Sequence, residues 1–290
     1  MGLIDSEKIK AKQFRTNFLI KKLNKLYENE KIEKPLLNLT SYVNIKNVLV
    51  VAPHPDDEVI GCGGFIQNCV TNNINVSVLF LTQEAQKSVV KPSITNGIQT
   101  RIKESYDAKE ILNYAQALYL KFDELSLKKN QESLISALEE YFFDLNPDLI
   151  VCPYHKDFHS DHREANIATI IALNRLWNSN KKTSLKDIMF YELWGPCLVN
   201  AYFVLTPDFV VKKKASLDCY KSQLQSVEYQ KIMDFINLKR TFSLKDLIKL
   251  QMSLSEELWI EGYYFLQGQD SIADYLKNIQ DANKYSYINI

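Results

Sequence analysis

The four histidines of this 290-residue chain lie in two short segments that are also rich in aspartate. The first segment, residues 54–58, reads His-Pro-Asp-Asp-Glu. The second segment, residues 155–163, reads His-Lys-Asp-Phe-His-Ser-Asp-His-Arg. Imidazole and carboxylate groups bind zinc and other divalent ions, and they also act as general acids and bases. Brought together in the fold, the two segments predict metal-dependent hydrolysis.

Each segment directly follows a run typical of a buried strand, at residues 47–52 and 149–152. The hydrophobic pattern predicts further strands at 74–81, 117–120, 189–193 and 201–205, and helices at 101–112, 131–143 and 164–177. This alternation indicates an α/β protein with a Rossmann-like, mostly parallel sheet, helices on both faces and a helical C-terminal third. Because such sheets bind ligands beyond the carboxyl ends of their strands, we expect the two segments to meet at one edge.

The spacing of the first segment allows His54 and Asp57, three residues apart across a turn, to face one point. A catalytic zinc takes three protein ligands and keeps one position for water, so one histidine of the second segment would complete the set. The metal would lower the pKa of that water, and Asp56 would take its proton and later pass it to a leaving group. A histidine of the second segment that is not on the metal would stabilise the oxyanion, and Asp161 would orient it.

Three alternatives stay open from the residues alone. His155, His159 and His162 could form a three-histidine zinc site that leaves His54 unused. The first segment could be a polar turn whose aspartates cap the next helix. The glycines at 61–64 suggest a dinucleotide-binding loop, but Ile66 stands where that fingerprint requires a small residue. We expect these glycines instead to allow a close approach of helix and sheet.

The two segments, with Gly63-Gly64 downstream of the first, resemble the LmbE/PIG-L family of zinc-dependent N-acetylglucosaminyl de-N-acetylases. Weaker matches extend the resemblance over residues 46–261. They are Arg101-Ile-Lys-Glu104, Tyr191-Glu192-Leu-Trp194, Lys214 with Tyr220-Lys-Ser222-Gln223, and Glu261. One departure lies at residues 82–86, Thr-Gln-Glu-Ala-Gln, where the family carries a Thr-x-Gly-Glu loop beside the sugar site.

The resemblance implies a role for each site residue. It implies that His54, Asp57 and His162 bind Zn²⁺, or another divalent ion such as Fe²⁺. Asp56 would be the general base and then acid, His159 would stabilise the tetrahedral intermediate, and Asp161 would hold His159. Substrate would be bound by Arg101, Glu58 and Glu192.

The reaction implied is removal of acetyl from an N-acetylated hexosamine conjugate, in glycoconjugate, low-molecular-weight thiol or antibiotic biosynthesis. Two other functions stay open: a catalytically silent sugar-binding protein of the same fold, and a metal hydrolase of a non-sugar amide. Loss of Asp56 or of a ligand would indicate the silent protein, and none is lost.

Composition excludes some partners and suggests a compartment. The chain has 35 Lys and Arg against 35 Asp and Glu, so no overall positive field favours nucleic acid. No stretch approaches the roughly 20 apolar residues of a transmembrane helix. Because the first residues contain neither an apolar core nor a small-residue cleavage site, we expect no signal peptide. The five cysteines include no CxxC pair, which predicts free thiols and a cytoplasmic location.

Residues 1–45 are predicted to be a basic amphipathic arm, separate from a deacetylase domain at 46–290. Between Lys8 and Lys25 there are seven Lys or Arg and no acid, with apolar residues roughly at helical spacing. Two interpretations fit this pattern. The arm could lie on an anionic membrane surface, or it could be a helix that packs on the domain and leaves its lysines in solvent.

Overall fold

The computed structural model describes residues 3–28, 32–42, 44–83, 97–179, 181–244 and 259–285. These residues form eight strands and nine helices, numbered here in chain order. The strands are β1 (Ile32–Asn38), β2 (Asn47–Ala52), β3 (Asn75–Gln83), β4 (Gln116–Asp123), β5 (Leu149–Pro153), β6 (Asp187–Tyr191), β7 (Val199–Leu205) and β8 (Trp259–Gln267). The helices are α1 (Leu3–Tyr27), α2 (Asp57–Thr71), α3 (Gly97–Leu112), α4 (Gln131–Leu145), α5 (Ser160–Asn178), α6 (Pro207–Leu217), α7 (Lys221–Leu224), α8 (Tyr229–Leu244) and α9 (Gly268–Tyr285).

One sheet contains all eight strands, in the order β1-β7-β8-β6-β5-β2-β3-β4. Every neighbouring pair is parallel except the two pairs that β8 forms with β6 and β7. The central strands are buried along nearly their whole length, for example at every position of β5. Runs of β-branched and aliphatic residues suit these strands because helices cover both faces of a parallel sheet.

Two hydrophobic cores lie on opposite faces of the sheet. One contains apolar residues of α2, such as Phe65 and Ile66, and of α8, such as Met233. The other contains apolar residues of α4, α5 and α9, such as Leu138, Leu173 and Ile272. The predicted fold class, a mostly parallel sheet with helices on both faces, is confirmed.

The C-terminal part contains one strand that the sequence pattern did not predict. Residues 259–267, Trp-Ile-Glu-Gly-Tyr-Tyr-Phe-Leu-Gln, form β8 between β6 and β7. Hydrophobic periodicity alone does not separate a short apolar run of this kind from a buried helical segment. Among the described residues, the part of the chain after β7 therefore consists of four helices and one strand that lies inside the sheet.

The segment 1–45, predicted to be an arm, contributes to the sheet. β1 pairs in parallel with β7 at the sheet edge. α1 packs against α8, where the edge of the Tyr27 ring meets Phe235 at a centroid distance of 6.2 Å. Within the described ranges, no helix combines the length and apolar character needed to cross a bilayer.

Candidate metal centre

The two histidine-bearing segments follow neighbouring strands at the point where the order of the sheet reverses. β2 pairs with β3 on one side and with β5 on the other, and the chain continues from β5 to β6 in the opposite direction. Where the connections after two neighbouring parallel strands run in opposite directions along the sheet, a crevice forms at the carboxyl ends of these strands. Residues 54–58 and 154–162 both enter this crevice, as the sequence predicted.

Three ligand atoms form a small triangle in the crevice. His54 Nδ1 lies 3.0 Å from Asp57 Oδ2, and His162 Nε2 lies 3.3 Å from each of these two atoms. His54 and Asp57 converge because the peptide N–H of His54 also donates to Asp57 Oδ2, at 2.9 Å. His162 reaches the same point from the first turn of α5. All three side chains are buried.

Two further carboxylates contact the outer nitrogens of the two rings. Asp161 Oδ2 lies 3.2 Å from His54 Nε2, and Asp157 Oδ2 lies 3.1 Å from His162 Nδ1. Burial lowers the pKa of His54, but hydrogen bonds with Asp161 and Asp57 outweigh burial and raise this pKa to about 9. Burial also opposes charge on His162, yet Asp57 and Asp157 raise its pKa to about 10. The carboxylates therefore stabilise positive charge at the triangle.

This donor set fits a divalent cation. Tetrahedral zinc ligands at ~2.0–2.1 Å from the metal are about 3.3 Å apart, which is the size of the observed triangle. Two imidazoles and one carboxylate suit zinc and several other first-row ions. Outer carboxylates on ligating histidines are the usual means of fixing ring orientation. His54, Asp57 and His162 could therefore hold a metal ion, as could the group His54, His159 and His162, whose ligand atoms all lie within 4.8 Å of one another.

Asp56 adjoins the triangle in a strained backbone conformation. Its φ of 118° is left-handed, although the residue is not glycine. It occupies the N-cap position of α2, yet its side chain makes no capping hydrogen bond, so helix capping does not account for it. Burial raises the pKa of the Asp56 carboxyl well above its usual range, partly offset by Arg101, whose Nη2 lies 3.6 Å from Oδ2. A raised pKa suits this carboxyl to accept and release a proton during a reaction.

His159 is the N-cap residue of α5 and is partly buried beside the triangle. Its ring centroid lies 4.8 Å from that of His54 and 4.7 Å from that of His162. Burial and the two neighbouring imidazoles lower the pKa of His159 to about 4, so the ring is neutral at pH 7. Its Nδ1 has no hydrogen-bond partner among the residues that the structure describes. A neutral ring with an unused nitrogen is available to a ligand in the crevice.

Asp161 contacts His54 and accepts a hydrogen bond from the backbone N–H of Leu125 at 2.6 Å. The resemblance predicted that this carboxylate would hold His159. Its position instead links the first segment to the loop after β4. The backbone N–H of His159 donates to Asp157 Oδ1 at 2.7 Å.

Residues 49–173 match the family model described as PIG-L, GlcNAc-PI de-N-acetylase. The match covers 125 of the 290 residues, which is less than half of the chain. The resemblance drawn from the two histidine segments is thereby confirmed.

Two curated relatives share this region. The uncharacterized deacetylase YaiS of Escherichia coli (strain K12) is 24% identical over 192 residues, which are 63% of this chain and 95% of that protein. The diacetylchitobiose deacetylase of Thermococcus kodakarensis is 25% identical over 197 residues, which are 62% of this chain and 71% of that protein.

Solved structures share the fold. The N,N'-diacetylchitobiose deacetylase of Pyrococcus horikoshii superimposes with a TM-score of 0.62 at 18% identity, covering 87% of this chain and 91% of that one. GalB, the 4-carboxy-2-hydroxymuconate hydratase of Pseudomonas putida KT2440, gives 0.61 at 19% identity, covering 77% and 97%. A deacetylase and a hydratase thus share this architecture, so the fold by itself does not determine the reaction.

A small cleft of about 130 Å³ opens onto the triangle of ligand atoms. Besides His54, Asp56, Asp57 and His159, the lining residues are Arg101, Glu124, Trp194, Gln223 and Tyr229. Arg101 is held by Pro55 O at 2.6 Å and Glu124 Oε1 at 2.7 Å. The Trp194 and Tyr229 rings lie 5.6 Å apart on one wall. Glu124 and Tyr229 were not predicted, because they belong to no recognisable motif and reach the cleft only through tertiary packing.

Two acids predicted to bind substrate, Glu58 and Glu192, are buried and do not line this cleft. Glu58 accepts hydrogen bonds from the Tyr220 hydroxyl and, at 3.0 Å, from the backbone N–H of Asp56. Burial raises the pKa of Glu58 to about 7. Glu192 forms an ion pair with Arg240 and accepts the backbone N–H of Cys197 at 2.7 Å. Their binding role stays a prediction, and their observed contacts are with the protein.

A third acid fixes α2, the helix that carries Asp57. α2 has a non-helical residue at Cys62, just before the backbone N–H groups of Gly64 and Phe65. Both donate to Glu261 of β8, at 2.8 and 2.9 Å, and Lys213 pairs with the same carboxylate at 2.6 Å. A Cβ at Gly64 would lie 2.9 Å from that carboxylate, so glycine permits this close approach, as the sequence predicted.

The remaining histidine and the departing loop lie apart from this arrangement. His155 Nδ1 lies 2.6 Å from the Tyr275 hydroxyl, and His155 is not in the histidine group that could hold a metal. The structure therefore does not favour a site of His155, His159 and His162. Residues 84–86 of the loop after β3 lie outside the described residues.

Proposed function

We propose that this protein is a zinc-dependent hydrolase that removes the acetyl group from an N-acetylated hexosamine conjugate. The observation that carries the proposal is the position of Asp56, a buried carboxyl with a raised pKa beside a zinc-sized triangle of His54, Asp57 and His162 in the region that matches the PIG-L family model. A proton acceptor next to a metal site is the arrangement that amide hydrolysis requires.

His54, Asp57 and His162 would hold the ion. When bound, the ion supplies a Lewis acid and lowers the pKa of a water molecule. Asp56 removes a proton from the attacking water and delivers it to the amide nitrogen as the C–N bond breaks. The products are the free amine and acetic acid, which then ionises to acetate; the proton that Asp56 takes at the start is returned to the leaving group, so Asp56 ends in its starting state.

His159 positions the acyl group of the substrate. Arg101 positions the Asp56 carboxyl, which moves the proton. The neutral ring of His159 can donate one N–H to the acyl oxygen, where negative charge develops. Arg101 is fixed by two hydrogen bonds and stays near Asp56, so it favours the ionised form that accepts the proton.

The cleft suits one sugar unit. Its volume of about 130 Å³ is well below the ~300–1,000 Å³ of pockets that enclose a drug-sized ligand, so the attached group would extend outside it. Trp194 and Tyr229 offer an apolar wall for the C–H face of a sugar ring, and Glu124 and Gln223 offer polar partners for hydroxyls. The diacetylchitobiose deacetylase relative supports the sugar class. The five free cysteines support a reducing, cytoplasmic compartment.

The test is acetate release from a panel of N-acetylhexosamine conjugates that differ in the attached group. Zinc-loaded and chelator-treated protein are compared, together with Asp56→Asn and, as a matched control in the same loop as the ligands, His155→Gln. We expect zinc-dependent release from one conjugate, a loss of about 10²- to 10⁴-fold in Asp56→Asn, and little change in His155→Gln.

Two outcomes would overturn the proposal. One is that folded, metal-loaded protein releases no acetate from any conjugate, which would favour a silent binding protein or a non-sugar amidase. The other is turnover of 4-carboxy-2-hydroxymuconate with no amide hydrolysis, which would assign the hydratase reaction of the GalB structure.

A further inference from the structure

α1 has one face fixed against the rest of the protein. Thr16, Leu23 and Tyr27 on this face are at most 3% exposed. Thr16 Oγ1 accepts the backbone N–H of Glu228 at 2.9 Å, just before α8. These contacts fix the rotation of α1 about its axis, so the opposite face is held towards solvent.

The opposite face carries exposed aromatic and basic residues. Phe14 and Phe18 are 72% and 60% exposed, and at a spacing of four residues they lie side by side. At about 100° per residue, three exposed lysines lie within about 60° of the midpoint between the two rings. We call this set the α1 outer face: Lys10, Phe14, Phe18, Lys21 and Lys25.

We propose that the α1 outer face docks the protein on an anionic lipid surface. Aromatic rings flanked by lysines, on a helix that lies along a surface, are the pattern that inserts at the boundary between headgroups and acyl chains. The segment from Lys8 to Lys25 has seven basic residues and no acid in a chain of zero net charge, so the positive charge is local to this part of α1, which follows Asp5 and Glu7.

Charge complementarity favours lipid over a second copy of this chain. A symmetric contact would place the same patch of lysines on both sides, where like charges repel. The two adjacent phenyl rings favour lipid over nucleic acid. Burial of the rings in the apolar layer of a bilayer is favourable, whereas the phosphate backbone of nucleic acid has no such layer.

Docking through this face would hold the cleft close to the lipid. The Nζ atom of Lys22 on α1 lies 3.9 Å from the ring centroid of Phe158, the residue before His159. The Phe158 ring in turn packs at 6.3 Å from Trp194, which lines the cleft. α1 is therefore in contact with the rim of the cleft. The inference does not depend on which bond the protein hydrolyses.

The experiment is co-sedimentation of the full chain with vesicles of phosphatidylcholine alone and of phosphatidylcholine mixed with phosphatidylglycerol. We expect binding to the anionic vesicles to be at least about ten-fold stronger and to weaken at high salt. Phe14→Ser/Phe18→Ser and Lys10→Gln/Lys21→Gln/Lys25→Gln should each reduce binding about ten-fold or more. Because all five residues are exposed, these variants should unfold at the wild-type temperature.

Matched controls come from the other face of the sheet. Phe143→Ser, at a residue 42% exposed on α4, and Lys181→Gln/Lys182→Gln/Lys186→Gln, at three exposed lysines, should bind vesicles as the wild type does. The proposal is overturned by equal binding to neutral and anionic vesicles, by no binding, or by an equal loss in the controls. It is also overturned if the protein self-associates and Phe14→Ser/Phe18→Ser abolishes that association without affecting vesicles.

Discussion

The strained backbone of Asp56 should depend on Glu58. A left-handed φ at a non-glycine residue costs about 1–3 kcal/mol and persists only when neighbouring contacts hold it. The holding contact is the Glu58 carboxylate, which accepts the Asp56 N–H at 3.0 Å and is itself fixed by the Tyr220 hydroxyl. Glu58→Ala removes this contact, so the backbone can relax and withdraw the Asp56 carboxyl from its position beside the metal triangle.

The strain energy gives the size of the effect. At about 1.4 kcal/mol per factor of ten, relief of 1–3 kcal/mol lowers the population of the observed conformer, and with it kcat, by about 5- to 150-fold. KM should change little, because Arg101 and Trp194 keep their places in the cleft. Glu58→Gln retains an oxygen that can accept the Asp56 N–H, so it should stay within a few-fold of wild type.

The assay is steady-state acetate release by the two Glu58 variants, with zinc content measured on the same samples. If Glu58→Gln loses as much kcat as Glu58→Ala, the negative charge matters and the backbone contact does not. A rise in KM at unchanged kcat would instead support the sequence-based prediction that Glu58 binds substrate. Wild-type kcat in Glu58→Ala would refute the reasoning.

Three further predictions concern stability. Arg240→Met should destabilise the fold by about 3–5 kcal/mol in urea unfolding, because it leaves Glu192 charged and buried, and adding Glu192→Gln should restore most of the loss. Burial and Lys156 lower the pKa of His155 to about 3, so the unfolded chain binds its proton more readily. Stability should therefore fall by at most about 1.4 kcal/mol per pH unit from His155 as pH drops from 6.5 towards 3, and His155→Gln should remove that part of the slope. Gly61→Ala should cost about 1–3 kcal/mol, measured as a lower Tm, because a Cβ there would lie 2.1 Å from the Tyr191 ring.

The histidine segments and their meeting point were predictable because both signals are local. Buried parallel strands have apolar β-branched sequences, and the polar residues that follow them must lie at the carboxyl edge of the sheet. The position of β8 was not predictable in the same way, since its mostly apolar residues do not alternate with polar ones. Its place between β6 and β7 depends on pairing with strands more than fifty residues earlier in the chain.

The three adjacent lysines at 212–214 on α6 could not be told apart from the sequence. The resemblance pointed to Lys214, but the lysine that pairs with Glu261 is Lys213, which is fully buried. Lys214 contacts Asp234 and lies over the Trp259 ring. Three consecutive lysines at 212–214 have equal charge and equal propensity, so only the rotation of α6 decides which one faces the core.

The matched region and the rest of the chain contribute differently to the candidate site. His54, Asp57 and His162, with Asp56 and His159, all lie within residues 49–173. The cleft wall of Trp194, Gln223 and Tyr229 lies after that region, as do Tyr220 and Glu261, which support Asp56 and α2. Substitutions in the wall should therefore alter which conjugate is accepted while leaving metal content unchanged, because the wall residues supply none of the three ligand atoms. Substitutions at Tyr220 or Glu261 should act on kcat, since their contacts reach the proton-transferring residue or the helix behind it.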